Sequence, residues 1–315
     1  MAPAVGHRFT DVMDVPALEG LPAGLTQRPL VPGDAAALTA IIAAEELADT
    51  GEVSIEEADI VADWQRPGFD LAASAVGVLD GGRLVAYAEH SGADRADASV
   101  HPSHHGQGIG TALADWVRRT ARARGTSAVG MPVPVGSPGD RLLDALGWRV
   151  RWTSWVLSLP EGREIRPQPL PAGYALREAA AADHRAVWTV VEDAFLEWSV
   201  RERQTFEDFA AQVMLRPGFE PWNLRVVTDP SGDVVGASFV VVAHGEGYVD
   251  RLAVRRDQRG RGLATALLAD SFARAREHGA TRSGLSTDSR TGALGLYERV
   301  GMEATQTWVN RATEV

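Results

Sequence analysis

An internal duplication is the feature that most constrains how this chain can fold. The tetrapeptide LPAG occurs at residues 21–24 and again at 170–173, an offset of 149, and RPGF occurs at 66–69 and 216–219, an offset of 150. Three glycines of the first half also match glycines of the second half at an offset of 154: Gly108 with Gly262, Gly125 with Gly279, and Gly147 with Gly301. Shared landmarks in the same order at a nearly constant offset predict two copies of one domain, because the period is far too long for a solenoid repeat.

The two copies are predicted to span residues 1–160 and 170–315. A chain of 315 residues suits two domains of about 150 residues each, and the stretch from Leu159 to Gly173 is rich in Pro and Gly, as linkers are. In each copy the pattern indicates a strand, a helix, a β-hairpin, a further strand, a glycine-rich loop that begins a helix, and then a strand, a short helix and a strand. We therefore predict an α/β (α+β) protein in which each domain has a mostly antiparallel mixed sheet flanked by helices.

Composition excludes several kinds of function. The chain has no cysteine, which excludes disulfides, thiolate metal sites and cysteine nucleophiles. Its net charge of −11 argues against nucleic-acid binding, which needs a basic surface. The longest apolar runs, such as residues 239–243, are too short to cross a membrane, and residues 1–20 lack the apolar region of a signal peptide. We predict a cytoplasmic protein with no nucleic-acid or membrane partner; its oligomeric state is left open.

A basic, glycine-rich loop precedes a helix in the second copy. The segment DQRGRGLATALL at 257–268 follows a β-rich run, and an altered version, HHGQGIGTALAD, stands at 104–115. Free backbone N–H groups and the helix dipole make a helix start an anion site, and glycine lets the backbone approach a phosphate closely. The sequence thus indicates a phosphate-binding loop, with an ordinary Arg-rich surface turn as the alternative. The spacing fits neither a Walker A loop nor GxGxxG.

The loop and its flanks resemble the GNAT superfamily of N-acetyltransferases. Arg259, Gly262 and Ala264 form R-x-x-G-x-A, which is similar to the family's acyl-CoA-binding signature, while VDRLAVRRDQRGRGLATALL and GALGLYERVGM are similar to its fourth-strand–loop–helix unit and its late helix. The resemblance covers both halves, and the architecture resembles the tandem type to which mycothiol synthase belongs. It implies acetyl-CoA as the acyl donor, with the pyrophosphate on the loop and the pantetheine between splayed fourth and fifth strands. The cofactor-binding residues it implies in the second copy are Leu252, Ala253, Val254, Arg259, Gly260, Arg261, Gly262, Leu263, Ala264, Thr265 and Arg290.

The resemblance also implies two catalytic residues in the second copy. Asp250 matches the place where the family often keeps an acidic general base, and since Asp is shorter than Glu, a bridging water is expected. Tyr297 matches the tyrosine that donates a proton to the departing CoA sulfur. The alternatives are a strand acid paired with Arg251 or Arg255, and an aromatic that only fills the core. Arg290 is a departure, because the family often has Asn at this position.

The first copy has lost these groups. At the offset of 154, Ala96 stands in the place of Asp250 and Leu143 in the place of Tyr297. We therefore expect a catalytically degenerate domain whose glycines can still hold CoA. The residues expected to do so are Val100, His105, Gly106, Gln107, Gly108, Ile109 and Gly110. His101, His104 and His105 lack further ligands at a suitable spacing, so no metal site is expected.

The acceptor site is expected between the first helix and the hairpin of the second copy, at residues 192–222. Acids lie among aromatic residues there, and the candidates are Asp193, Glu197, Trp198 and Trp222; an amphipathic helix pair is the alternative. We predict an acetyl-CoA-dependent N-acetyltransferase that acts on the primary amine of a small molecule, such as an amino sugar, an antibiotic or a mycothiol-precursor-like compound. The alternatives are an acyl-CoA-binding regulatory protein with little turnover and a protein N-acetyltransferase.

Overall fold

The two halves of the chain contain the same succession of helices and strands, apart from one additional short helix in the first half. The computed structural model describes residues 16–315, so residues 1–15, which carry most of the segment used to argue against a signal peptide, lie outside the described part. The first half comprises β1 (Leu25–Pro29), α1 (Ala35–Thr50), α2 (Glu57–Trp64), α3 (Leu71–Ser74), β2 (Ala75–Asp80), β3 (Arg83–Gly92), β4 (Arg95–Val100), α4 (Ile109–Ala123), β5 (Ala128–Pro134), α5 (Pro138–Ala145) and β6 (Arg149–Ser158). The second half comprises β7 (Ala175–Glu178), α6 (His184–Phe195), α7 (Phe206–Gln212), β8 (Leu224–Thr228), β9 (Val234–Ala243), β10 (Glu246–Val254), α8 (Leu263–Glu277), β11 (Arg282–Asp288), α9 (Leu294–Arg299) and β12 (Glu303–Glu314).

Equivalent ion pairs mark the start of the first helix in both copies. Arg28 donates two hydrogen bonds to Asp34 at 2.6 and 2.7 Å, just before α1. Arg177 does the same to Asp183 at 2.6 and 3.0 Å, just before α6. Each Asp also accepts the backbone N–H of the residue three positions earlier. The two copies are therefore aligned here at an offset of 149, which confirms the duplication at the level of individual contacts.

One continuous twelve-stranded sheet runs through both halves. Its order is β1-β2-β3-β4-β5-β12-β6-β11-β10-β9-β8-β7. All neighbours are antiparallel except β4–β5 and β10–β11, which are parallel. The predicted fold class, two copies of a mostly antiparallel sheet flanked by helices, is confirmed.

The last strands of the two halves are exchanged at the centre of the sheet. β6, from the first half, pairs with β11 of the second half, and β12, from the end of the chain, pairs with β5 of the first half. The two exchanged strands also pair with each other along most of their length. Each half therefore completes its sheet with a strand of the other half, so residues from β6 can reach a site formed by β10 and β11.

Each half has its own apolar core, formed where the helix that follows the glycine-rich loop packs against the sheet. In the first half Trp116 and Val117 of α4 are fully buried against the sheet. In the second half Leu268 and Phe272 of α8 are buried in the same way. Full burial of such a side chain contributes about 1.5–3 kcal/mol, so these contacts fix the beginning of α4 and α8, and with it the preceding loop.

Candidate active site

The loop before α8 presents unpaired backbone N–H groups to the space above the sheet. Gly260 and Gly262 have positive φ angles of 76° and 79°, which glycine adopts without strain. The first hydrogen bond of the helix runs from the N–H of Ala266 to the carbonyl of Gly262 at 3.0 Å. The N–H groups of Leu263, Ala264 and Thr265 therefore precede the first N–H that donates within the helix, as they do in helix termini that bind phosphate.

A large cavity adjoins this loop and lies between the two halves. It has a volume of about 1910 Å³ and is lined by β10, by the loop, by the starts of α8 and α9, and by parts of the first half. The predicted cofactor-binding residues that line it are Leu252, Ala253, Val254, Arg259, Gly260, Gly262, Leu263, Ala264, Thr265 and Arg290. Arg261 does not line it and is exposed. The structure thus brings ten of the eleven second-copy residues to one cavity.

The strand β10 separates from β11 where the cavity begins. The two strands pair only from Glu246 to Val249 on β10. The pairing with β9 on the other side shifts between Val249 and Arg251, so that Asp250 lies in a bulge. Residues 250–254 therefore present one edge of backbone to the cavity, and bulges of this kind often redirect a side chain beside an active site.

Asp250 lies at the edge of the cavity and is only loosely paired. Its side chain is 45% exposed, and its carboxylate lies 3.3 Å from Nε of Arg251. Arg251 is also engaged by Oε1 of Gln212 at 3.2 Å and by the ring of Phe209. The ion pair foreseen as the alternative for Asp250 is therefore present, yet the carboxylate remains accessible from the cavity.

Tyr297 lies on α9 with its ring buried and one side facing the cavity. The residue is 7% exposed and packs in the core with Phe272 and Met302. Among residues 16–315 its hydroxyl has no hydrogen-bond partner. Burial raises the pKa of Tyr297 to about 12, so the hydroxyl carries its proton at neutral pH. Both foreseen features, core packing and a protonated donor at the cavity, are combined in this side chain.

Arg259 is held by two groups of the second copy. Its Nε donates to the carbonyl of Val254 at 3.0 Å, and its two terminal nitrogens donate to Glu197 at 2.8 and 2.7 Å. The hydrogen bonds from Arg259 lower the pKa of Glu197. Arg259, which is expected to bind the phosphates, is therefore paired with Glu197, which is expected to bind the acceptor.

Arg290 lies beside two aromatic rings. Its guanidinium lies 3.6 Å from the ring centroid of Trp152, on the exchanged strand β6, and 4.7 Å from that of Trp198. It also donates to Asp288 at 3.2 and 2.6 Å. The charge is thus neutralised and the guanidinium contacts two indole rings, which orients Arg290 as part of the cavity wall.

The four residues expected at the acceptor are only partly brought together. Glu197 and Trp198 line the cavity. Asp193 faces outward from α6 and pairs with Arg203. Trp222 stacks on His278 with centroids 3.9 Å apart and lines a separate cavity of about 230 Å³.

Sequence reasoning missed the first-half side of the cavity. Asp63 of α2, Asp97 of β4 and Trp152 of β6 line it. Asp63 accepts a hydrogen bond from Nε2 of Gln212 at 2.5 Å, which joins the halves, and Asp97 accepts one from Ser91 at 3.0 Å. No local signal marks these residues, because their position depends on how the two copies pack.

The loop of the first copy keeps its shape but does not reach the cavity. Gly106 and Gly108 have φ angles of 75° and 90°, and His105 contacts the carbonyl of Val100 at 2.8 Å, as Arg259 contacts that of Val254. The cavity lining includes none of the expected first-copy residues, namely Val100, His105, Gly106, Gln107, Gly108, Ile109 and Gly110.

The described part of the chain contains neither a metal-binding cluster nor a membrane-spanning helix. Within residues 16–315, no group of three or more His, Asp or Glu side chains is arranged to hold a metal ion. No helix in the same range has the length and apolar character that crossing a membrane requires.

Comparisons with known proteins agree with this geometry. The acetyltransferase (GNAT) family profile matches residues 38–135 and 177–302, once in each half. The chain is 31% identical to the mycothiol acetyltransferase of Salinispora arenicola, over 73% of this chain and 78% of the relative, and 28% identical to that of Streptomyces coelicolor, over 75% and 78%.

Solved structures give the same fold. The crystal structure of a GCN5-related N-acetyltransferase from Sphaerobacter thermophilus matches with a TM-score of 0.71 and 29% identity, over 94% of this chain and 97% of the other. A tandem GNAT protein from the clavulanic acid biosynthesis pathway matches with a TM-score of 0.70 over 92% and 98%, and at 19% identity it supports the fold alone. The chain therefore belongs to the GNAT family, as a tandem, acetyl-CoA-dependent N-acyltransferase.

Proposed function

We propose that this enzyme transfers an acetyl group to the primary amine of a small polar molecule, and that the chemistry takes place only in the second copy. The observation that carries the proposal is the large cavity, which joins the N–H groups before α8, the free edge of β10, Asp250 and Tyr297. The first-copy equivalents of these residues, Val100 and residues 105–110, do not line this cavity. It has Ala96 and Leu143 where the second copy has Asp250 and Tyr297.

The residues present suit acetyl-CoA. The N–H groups of Leu263, Ala264 and Thr265 have no helical acceptor and can bind a phosphate. The unpaired edge of β10 at residues 252–254 can donate backbone hydrogen bonds to an extended ligand in the gap between β10 and β11. Acetyl-CoA supplies the acetyl group as an activated thioester.

Asp250 and Tyr297 can carry the two proton transfers. The acceptor must lose a proton to become a nucleophile, and Asp250 accepts it directly or through a water. The amine nitrogen then bonds to the acetyl carbon while the carbon–sulfur bond breaks, and β10 backbone N–H groups stabilise the developing negative charge on oxygen. Tyr297 donates its phenolic proton to the departing sulfur, and the second proton that the amide nitrogen loses restores the phenol, directly or through water. Its neutral state is supported by burial, which raises its pKa to about 12.

The acceptor is expected to combine a cationic group with an apolar face. The cavity wall opposite β10 comes from the first half and carries Asp63 and Asp97, while Trp152, Trp198 and Arg290 form a flat wall nearby. Carboxylates suit an ammonium group, and aromatic faces suit the apolar face of a sugar ring. Together with the relatives named mycothiol acetyltransferase, this supports a mycothiol-precursor-like amine as the first substrate to test, ahead of other amino sugars and antibiotics.

The proposal is tested by acetyl transfer with purified enzyme. Acetyl-CoA is mixed with the amino-thiol precursor of mycothiol, glucosamine or an aminoglycoside, and the acetylated product is identified by mass spectrometry while CoA thiol is titrated. Asp250→Asn and Tyr297→Phe are expected to lower kcat by about 10²–10⁴-fold and to leave the Kd of acetyl-CoA unchanged. Asp115→Asn and Tyr87→Phe, in the first half, serve as matched controls. Tight acetyl-CoA binding with no transfer to any amine would instead identify a regulatory acyl-CoA-binding protein.

A further inference from the structure

The two copies can be compared residue by residue at the donor groove. This name is used for the space beside the last residues of β10 in the second copy, and for the equivalent place beside the last residues of β4 in the first copy. The ion pairs of Asp34 and Asp183 align α1 with α6 at an offset of 149. At this offset Glu45 of α1 corresponds to Ala194 of α6. The glycine loops align at an offset of 154, which makes Ser99 and Val100 at the end of β4 the equivalents of Ala253 and Val254 at the end of β10.

In the first copy, the side chain of Glu45 covers the end of β4. The hydroxyl of Ser99 donates to its carboxylate, and the backbone amide of Val100 interacts with the same group. Nε2 of His105, the residue equivalent to Arg259, lies 4.0 Å from the carboxylate. Glu45 therefore contacts both the strand edge and the loop residue that would have to face a bound donor.

In the second copy, the same place is open. Ala194 has only a methyl group there, and Ala194, Ala253 and Val254 all line the large cavity. The side chain of Arg259 is directed to Glu197 on the following turn instead. The difference between a filled and an open groove thus coincides with one side chain, Glu in one copy and Ala in the other.

A second contact narrows the first groove from the opposite side. Gly110 stands at the start of α4, and a Cβ atom added to it would lie 2.8 Å from Cδ2 of Leu142 on α5. The equivalent residue of the second copy, Ala264, carries that Cβ, and it lines the cavity together with Leu296, the equivalent of Leu142. Leu142 therefore packs over the start of α4 in a place that stays accessible in the second copy.

We propose that Glu45 is a built-in plug of the first donor groove, so that each chain binds one acetyl-CoA, through the second copy. The inference rests on the proposed function to the extent that it takes the large cavity, beside the second copy's loop, as the acetyl-CoA site. It assigns to Glu45 the role of taking up the hydrogen bonds of the β4 edge that are free on β10. It predicts, in contrast to the expectation from the sequence, that Val100 and residues 105–110 do not hold CoA in the native protein.

The stoichiometry of acetyl-CoA binding tests this assignment. Isothermal titration of the intact protein, continued well above the first Kd, is expected to give one equivalent for the wild type and two for Glu45→Ala. Asp49→Ala removes a charge from the same helix without touching β4, and it should stay at one equivalent. The reciprocal change Ala194→Glu should reduce binding to none while the melting temperature reports that the chain is folded.

Binding of two equivalents of acetyl-CoA by the wild type, or of only one by Glu45→Ala, would contradict the assignment of Glu45 as a plug. Both measurements are independent of whether Ala194→Glu folds. Acetyl transfer is followed in parallel. Glu45→Ala is expected to keep the wild-type kcat because Glu45 does not line the large cavity. A wild type that binds one equivalent but acetylates no amine would refute the proposed function and leave the plug standing.

Discussion

Both terminal nitrogens of the Arg259 guanidinium donate hydrogen bonds to the carboxylate of Glu197, at 2.8 and 2.7 Å. Its Nε is bonded to the carbonyl of Val254, so this arginine is fixed in direction by the strand and neutralised by the acid. The arginine expected at the pyrophosphate is therefore already paired with an anion in the same protein. A phosphate that approaches Arg259 must compete with Glu197 or share the guanidinium with it.

Replacing Glu197 by Gln should tighten acetyl-CoA binding. The change removes a negative charge beside the loop and keeps a side chain of the same size. Because exposed ion pairs contribute up to about 1 kcal/mol, the Kd should fall by at most about fivefold. The measurement is a titration with acetyl-CoA at low salt. Glu207→Gln, which alters an exposed acid outside the cavity, is the control, and a Kd that rises in Glu197→Gln but not in the control would show that Glu197 supports donor binding.

Arg290 should matter little for the affinity of acetyl-CoA. Its charge is neutralised by Asp288, and its guanidinium contacts the rings of Trp152 and Trp198. Arg290→Ala is expected to leave the Kd of acetyl-CoA within about twofold and to raise the KM of the acceptor, because the cavity wall loses its order. Arg259→Ala should raise the Kd by about tenfold, since a charged hydrogen bond contributes about 1.5–3 kcal/mol. An equal loss of donor affinity in both variants would place Arg290 at the phosphate or the pantetheine.

The sequence was sufficient to predict the parts of this fold that depend on local signals. The spacing of Gly260 and Gly262, followed by an apolar helix, indicates a loop at a helix start whatever surrounds it, and the offset of 154 shows which residues the first copy lacks. Tyr297 and Asp250 lie at the cavity because they belong to the same local unit as the loop.

What the sequence could not predict depends on the packing of one copy against the other. β6 and β12 are equivalent strands, so no spacing distinguishes an exchanged sheet from two separate ones. The contact of Trp152 with Arg290 follows from that exchange. The role of the acids on α6 depends on helix phase: Glu192 is buried and binds Arg201, whereas its neighbour Asp193 points outward.

The ratio of wild-type to Tyr297→Phe activity should not change with pH. Burial raises the pKa of Tyr297 to about 12, so the phenol stays protonated well above its ordinary pKa of 10. If it acts as an acid, kcat/KM of the wild type should exceed that of the variant by the same factor from pH 6 to 10. The check is a pair of pH–rate profiles. A ratio that grows steadily toward high pH would instead indicate that the phenolate is the active form.

Cutting the chain between its halves should not separate them. β6 of the first half lies between two strands of the second half, β12 and β11, and β12 lies between β5 and β6 of the first half. The cut fragments therefore remain joined by three central strand pairings. A protease site inserted in the exposed turn at residues 160–163 allows the cut to be made after folding. Native size-exclusion chromatography is expected to show a single complex of the original size, which divides only in denaturant. Fragments that elute apart in native buffer would contradict the exchange.

A buried carboxyl in the first half should weaken the fold as pH rises. Glu89 is 6% exposed, and burial raises its pKa from 4.5 to about 7, partly opposed by a hydrogen bond from Trp64. The folded state therefore holds a proton that the unfolded chain has lost between these pH values. The stabilising contribution is complete below pH 4.5 and disappears as pH rises through 7. Two and a half pKa units correspond to about 3 kcal/mol.

Glu89→Gln should remove this dependence, because the amide stays neutral and its oxygen can still accept the hydrogen bond from Trp64. The free energy of unfolding, measured in urea, is expected to be higher for the variant than for the wild type at pH 8.5, by up to about 3 kcal/mol, and nearly equal at pH 4.5. His90 has the opposite sign, since burial lowers its pKa to about 4, but it is present in both proteins and largely cancels in the difference. Glu303→Gln, on an exposed residue, should show no such change. A difference between variant and wild type that is the same at both pH values would mean that Glu89 is already charged in the folded protein at pH 4.5.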